Sequence, residues 1–148
     1  MTLRGHRLPR RAEKSRTSSV TQTVEMRSGL KANTEIQYMY RDADNYKRFG
    51  RQVLSGLVPE ADVLRYTDDG SFIAGDAGLP ELQKDWAKSG MKYPTDADHV
   101  FHEIESVEPT SRKPTCKTTA AHFLRRLRRA HQRGWPVERA MERLGLTD

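Results

Sequence analysis

Residues 34–57, TEIQYMYRDADNYKRFGRQVLSGL, contain the pattern that decides the fold. Ile36, Tyr38 and Tyr40 recur at every second position, as they do on one face of a β-strand. The segment Asp42–Asn45 has turn chemistry, because Asp and Asn side chains accept hydrogen bonds from the nearby backbone. A second apolar run follows. The stretch therefore predicts a strand, an ordered turn and a second element that pairs back onto the first.

Shorter elements are expected downstream of this stretch. A short helix is predicted to begin at Pro59, an edge strand at Ser71, and one or two helical turns within residues 81–88. The segment His99–Val107 alternates like a further strand, which Pro109 is expected to end. Together these elements predict an α+β fold with a small, mostly antiparallel sheet and short helices.

The C-terminal part of the chain has helical periodicity instead. Apolar residues recur at helical spacing within residues 120–131 and again within residues 137–144. Gly134 and Pro136 lie between the two runs, where one helix is expected to end and the next to begin. This pattern predicts a helical hairpin, and it leaves open whether the hairpin packs on the sheet or moves on the segment before it.

The 148 residues have room for one domain, but charge is unevenly distributed among them. Only 35% of residues are apolar, which is low for a globular protein, and 31% are charged, which is high. The net charge is +6 over residues 1–32, −5 over residues 33–114 and +5 over residues 115–148. We divide the chain into a disordered basic tail (1–32), an α+β domain (33–110), a linker (111–117) and a basic helical hairpin (118–148).

The basic tail permits three interpretations. It can be an arm that contacts phosphates, a transit-like peptide rich in Arg and Ser, or an extension without function. Met26 lies shortly before the first strand and can be the true initiator. We favour the extension without function, because arginine-rich tails arise easily.

Composition also limits the chemistry and the compartment. Cys116 is the only cysteine, so an intrachain disulfide and a thiolate zinc site are excluded. No apolar run reaches the ~18 residues of a membrane span, and the first residues lack the apolar core of a secretory signal. We expect a cytoplasmic protein without a membrane partner, and we predict no cofactor, no metal and no catalytic residue. The oligomeric state is not predicted.

Arginines concentrate on the first helix of the predicted hairpin. At about 100° per residue, Phe123, Leu127 and Ala130 turn inward while the arginines project outward. Because arginine forks suit phosphate or carboxylate oxygens, we expect a non-catalytic accessory protein that binds nucleic acid or an acidic protein. A solvated face, or one that docks on the acidic middle of the same chain, is the competing explanation. The candidate binding residues are Arg125, Arg126, Arg128, Arg129 and Arg133.

A second candidate site would make the protein a small enzyme. It joins the polar turn to a histidine, but a third chemical group would have to come from elsewhere in the chain. His99 and His102 are predicted to face opposite ways on a strand, so they cannot share a metal ion. Turn chemistry by itself also explains the Asp and Asn residues. The residues of the second candidate site are Arg41, Asp42, Asp44, Asn45, Lys47 and His99.

Three motifs resemble a group of small uncharacterised bacterial proteins. They are Tyr-Arg-Asp-x-x-Asn-Tyr-Lys at residues 40–47, Gly-Leu-Pro at residues 78–80 and Asp-His-x-x-x-Glu at residues 98–103. The resemblance covers roughly residues 33–110 and leaves out the basic tail and the hairpin. It implies a compact bacterial domain, and no activity is known for the group.

Overall fold

A computed structural model describes residues 31–146, and four of its strands form one antiparallel sheet. In chain order the elements are β1 (Asn33–Arg41), β2 (Lys47–Ser55), α1 (Glu60–Arg65), β3 (Ser71–Phe72), a 3-10 turn (Gly75–Ala77), α2 (Asp85–Lys88), β4 (His102–Thr110), α3 (Ala120–Gln132) and α4 (Val137–Leu144). The predicted α+β class is confirmed. Residues 1–30, which carry the prediction of a disordered basic tail, lie outside the described range.

The strand β1 lies inside the sheet, whose strand order is β2-β1-β4-β3. Tyr38 pairs with Gly50 on β2 and with Ile104 on β4, so β1 has a partner on each side. Ile36, Tyr38 and Tyr40 are completely buried, as their alternation predicts. The strand, the turn and the second element predicted for residues 34–57 are therefore all present, and the second element is the strand β2.

The turn between β1 and β2 is held by its own side chains. Oδ1 of Asp42 accepts hydrogen bonds from the N–H groups of Asp44 and Tyr46, each at 2.9 Å. Asn45 has a φ of 70°, a left-handed conformation that Asn tolerates better than most residues. Turn chemistry thus explains why these residue types stand here.

The strand β4 differs from the prediction at both ends, since it runs from His102 to Thr110 and not over residues 99–107. Pro109 does not end it. The N–H of Val107 points away from β1 and donates to Oε2 of Glu60 at 3.4 Å. Because the direction of the backbone N–H repeats every second residue in a strand, the nitrogen of Pro109 also points away from β1. The missing N–H of Pro109 therefore removes no hydrogen bond to β1.

One hydrophobic cluster joins the sheet to both helices of the C-terminal hairpin. Phe123 and Leu127 of α3 are completely buried in it, and Ala140 and Leu144 of α4 belong to the same cluster. The hairpin therefore packs on the rest of the domain, which resolves the alternative that the sequence left open.

Part of the segment before the hairpin also contacts the sheet. The N–H of Thr115 donates to the carbonyl oxygen of Val53 at 2.9 Å, and the Thr115 hydroxyl accepts from the Val53 N–H at 2.8 Å. Further along, Ser55 and Thr119 form an isolated parallel bridge. These bonds cover the end of β2 and position the start of α3.

Candidate nucleic-acid interface

Three exposed arginines of α3 and the arginine that caps its C-terminal end form what we call the arginine face: Arg125, Arg128, Arg129 and Arg133. All four are exposed, whereas Phe123, Leu127 and Ala130 on the opposite side are buried. No carboxylate in residues 31–146 lies within 4.0 Å of a nitrogen of the arginine face. The packing of the buried side fixes which way these charges point.

The arginine face forms a row along the helix. Arg125, Arg129 and Arg133 follow one another at every fourth position, which places their Cα atoms about 6 Å apart along the helix axis. Nη2 of Arg125 lies 3.1 Å from Nδ1 of His122, one turn earlier. A row of guanidinium groups on one side of a rigid helix can contact several anionic oxygens at once.

Arg126, which was also predicted to bind a partner, has a different role. Its Nε donates to the carbonyl oxygen of Asp76 and its Nη2 to that of Gly75, each at 3.0 Å. These bonds satisfy carbonyls of the 3-10 turn and attach α3 to it. Arg126 is only partly exposed, and much of its donor capacity is used within the fold.

A second arginine outside the arginine face is also used within the fold. Nε and Nη2 of Arg143 donate to the two carboxylate oxygens of Glu81 at 2.9 and 2.8 Å. Nη1 of Arg143 also lies 3.6 Å from Oδ1 of Asp76. Burial raises the pKa of Asp76 above its ordinary value, although the positive charge of Arg143 acts in the opposite direction.

Two concave regions flank α3. The α3–α4 cleft has a volume of about 240 Å³, and the α1–α3 groove has a volume of about 330 Å³. The cleft is lined by Asp76, Arg126, Arg129, Ala130, Arg133, Pro136 and Arg139. The groove is lined by Asp62, Arg65, Tyr66, Ala121, Leu124, Arg125 and Arg128. Each concave region shares two arginines with the arginine face, so the basic surface continues across the helix into both.

The α1 residues of the groove are absent from the binding residues that the sequence predicted. Asp62, Arg65 and Tyr66 belong to or adjoin a six-residue helix far from α3 in the chain. Their spacing indicates only a short helix, and no local pattern shows which other helix α1 packs against.

In the second candidate site, the histidine is fully occupied by the backbone. Nδ1 of His99 accepts from the N–H of Phe101 at 3.0 Å, so the proton lies on Nε2. Nε2 is 2.6 Å from the carbonyl oxygen of Arg41, to which it donates. Both ring nitrogens therefore hold the turn onto the segment before β4, and neither is free to act as a base.

The other groups of this second candidate site mostly bond to one another. Nη1 of Arg41 donates to Oδ1 of Asn45 at 3.3 Å, and Nε of Arg41 lies 3.5 Å from Glu103. Asp42 is engaged by the turn described above. Asp44 and Lys47 are exposed. The structure brings these residues near the turn, but their contacts are those of a stabilised loop.

His102 is completely buried in the core. Its Nε2 accepts from the N–H of Leu82 at 3.0 Å, which places the proton on Nδ1. The ring lies between those of Tyr38, Tyr40 and Phe72, with centroids 5.5–6.2 Å away. Burial, with a smaller effect of His99, lowers the pKa of His102 from 6.5 to about 3.

Within residues 31–146, no group of three or more His, Cys, Asp or Glu side chains is arranged to hold a metal ion. The helices of that range are too short or too polar to cross a lipid bilayer. Comparison with known protein families, with curated proteins and with solved structures found no match. The resemblance to small bacterial proteins stays a prediction.

Proposed function

We propose that this protein is a non-catalytic binding protein whose arginine face contacts the phosphates of nucleic acid. The observation that carries the proposal is the row of exposed arginines without a carboxylate partner within the described residues. Arginine supplies a planar fork of N–H donors that matches phosphate oxygens. Phosphate contacts of this kind supply most of the affinity of sequence-independent binding.

Folding accounts for only part of this row of charges, since Arg129 lies in the last turn of α3, where the helix dipole favours a cation, but Arg125 and Arg128 do not. Arg126 and Arg143 show how an arginine stabilises this fold, with directed bonds of 2.8–3.0 Å to carbonyls or a carboxylate. In the arginine face, by contrast, Arg125, Arg129 and Arg133 are like charges at (i, i+4) spacing. Each such pair destabilises a helix by about 0.2–0.5 kcal/mol. A bound polyanion would remove that cost.

Nucleic acid fits the row better than an acidic protein does. The equal steps along α3 suit an anion that repeats at regular intervals, which a sugar–phosphate backbone does. The basic lining of the α3–α4 cleft, from Arg129, Arg133 and Arg139, extends the path beyond the helix. An acidic protein remains the alternative outcome of the experiment below.

The first prediction replaces Arg125, Arg128 and Arg129 by Gln. Gln keeps helix propensity and these positions are exposed, so the thermal melt should change little. Each lost phosphate contact should lower the slope of log affinity against log salt by about 0.7–0.9. Binding to a fluorescent oligonucleotide, measured by anisotropy at several salt concentrations, should therefore weaken for all sequences alike.

A matched control removes the same net charge elsewhere. Lys84, Lys92 and Lys113 are exposed, and their change to Gln should leave affinity and salt slope close to those of the wild type. An equal loss in the lysine variant would show that overall charge, not the arginine face, causes binding. If the wild-type protein binds neither DNA nor RNA at low salt, the proposal is wrong and an acidic protein becomes the partner to test.

A further inference from the structure

We infer that the α1–α3 groove receives an unstacked nucleobase, so that the ligand is a single strand. The inference deepens the proposed function and rests on it. Arg125 and Arg128 belong both to the arginine face and to the rim of the groove. A strand whose phosphates follow the arginine face therefore passes directly beside an opening of about 330 Å³.

The interior of the groove has the surface that a base requires. Leu124 and Ala121 provide apolar carbon, and the partly buried Tyr66 provides an aromatic ring. The Tyr66 ring is supported from outside the groove lining by His131, with centroids 6.0 Å apart and planes at 67°. A tyrosine ring held in place in this way can stack against any base, since every base has a π face.

The charges of the groove determine which part of it suits a phosphate and which part suits a base. Asp62 is half-buried in the lining, and no cation of residues 31–146 lies within 4.0 Å of its carboxylate. Its negative charge repels a phosphate, whereas its carboxylate oxygens can accept a hydrogen bond from the amino group of a base. Arg65 and the two arginines shared with the arginine face supply the positive charge for the phosphates.

A duplex cannot use this groove in the same way. Its bases are paired and stacked inside the helix, and extruding one is unfavourable. The bases of a single strand are free to leave the stack and to lie on an aromatic side chain. The groove should therefore add affinity for single strands, while the arginine face binds both forms through their phosphates.

The experiment replaces Tyr66 by Leu, which keeps an apolar side chain and removes the ring. Anisotropy is measured with a single-stranded oligonucleotide and with its duplex, each at several salt concentrations. Stacking on one aromatic side chain is worth enough that single-strand affinity should fall about tenfold. The salt slope should not change, because no charge is removed, and duplex affinity should stay at the wild-type value.

A second groove variant and a tyrosine control distinguish an effect on binding from an effect on folding. Ala121 is exposed on α3, so its change to Leu should fill the groove without disturbing the core, and single-strand affinity should fall. Tyr46 is 58% exposed and lies outside the groove lining, so its change to Leu should leave both affinities unchanged. Melting curves establish that each variant is folded.

The outcomes separate the inference from the function on which it rests. If both groove variants bind the single strand as the wild type does, while the arginine variant loses affinity, the base site is wrong and the proposed function stands. A loss of duplex affinity in the Tyr66→Leu variant as large as its loss of single-strand affinity also overturns the base site. If the wild-type protein binds neither form, both proposals are wrong.

Discussion

At the scale of single residues, two histidines three positions apart have different chemistry because their surroundings differ. His99 is partly exposed and uses both ring nitrogens on backbone groups. His102 is completely buried, and its Nδ1 has no hydrogen-bond partner within residues 31–146. A buried imidazole with one nitrogen accepting from a backbone N–H is held neutral at ordinary pH, because burial removes the hydration of its charged form.

The second prediction concerns the pH dependence that follows from His102. Its pKa falls from 6.5 to about 3 on folding, so below pH 6.5 the unfolded chain takes up a proton that the folded chain does not. The free energy of unfolding should therefore decrease by about 1.4 kcal/mol for each pH unit between these two values, and be unaffected above pH 6.5. Urea denaturation at pH 7 and at pH 5 measures the difference.

Carboxylates also change protonation as the pH falls, so a variant that removes only the imidazole is needed to isolate the contribution of His102 to the pH dependence of stability. His102→Gln keeps a side-chain acceptor within reach of the Leu82 N–H and cannot take up a proton in this range. Its stability at pH 7 should be lower than that of the wild type, but its loss between pH 7 and pH 5 should be smaller. The same loss in both proteins would contradict the assignment.

At the scale of the element, α3 begins at a residue whose side chain accepts a hydrogen bond from a first-turn N–H, which has no acceptor within the helix. Oγ1 of Thr119 accepts a hydrogen bond from the N–H of His122 at 3.0 Å. Thr119 also pairs with Ser55 across the end of β2. The start of the helix that carries the arginine face is thus fixed both by a cap and by the sheet.

The third prediction removes this cap. Thr119→Ala should lower the free energy of unfolding by about 1 kcal/mol, since the His122 N–H loses its acceptor. Thr119→Ser keeps the oxygen and should lie closer to the wild type. Chemical denaturation monitored by circular dichroism measures both, and equal stability of the Ala and Ser variants would show that the side-chain oxygen contributes nothing.

At the scale of the whole molecule, Arg126 joins parts of the chain that are 50 and 51 residues apart. It connects α3 to the 3-10 turn, next to Gly78, whose φ of +89° is a left-handed conformation that favours glycine. A Cβ at Gly78 would lie 2.9 Å from Oγ1 of Thr118 and 3.2 Å from Nη1 of Arg126. The hairpin is therefore seated against the turn without room for a further side chain.

The fourth prediction uses Arg126 and Arg129 as a matched pair on the same helix. Arg126→Gln should lower the free energy of unfolding by about 1–2 kcal/mol, because two carbonyls lose a charged donor, and should change nucleic-acid affinity little. Arg129→Gln should do the reverse, lowering affinity and reducing stability by less than Arg126→Gln does, since only a favourable interaction with the helix dipole is lost. Melting curves and anisotropy on both variants test this division, and the same change in both would contradict it.

Much of the fold follows from local patterns that the sequence by itself determined. The alternation of Ile36, Tyr38 and Tyr40 marks β1, and the helical spacing of Phe123 and Leu127 separates the buried side of α3 from the arginine face. Such patterns depend on residues a few positions apart, whose relative directions are set by the backbone geometry of strands and helices.

Only the tertiary structure decided the features that depend on distant partners. The pairing of Gln37 with Ser106 and of Tyr38 with Ile104 leaves an extra residue in β4, and no local pattern predicts that irregularity. Arg126 stands among the exposed arginines in the sequence, and although helical spacing puts it beside the buried side of α3, only its neighbours in the 3-10 turn show its structural role. The α1–α3 groove likewise exists only because two helices far apart in the chain pack together, and packing of that kind is determined by the three-dimensional fit of side chains rather than by their order.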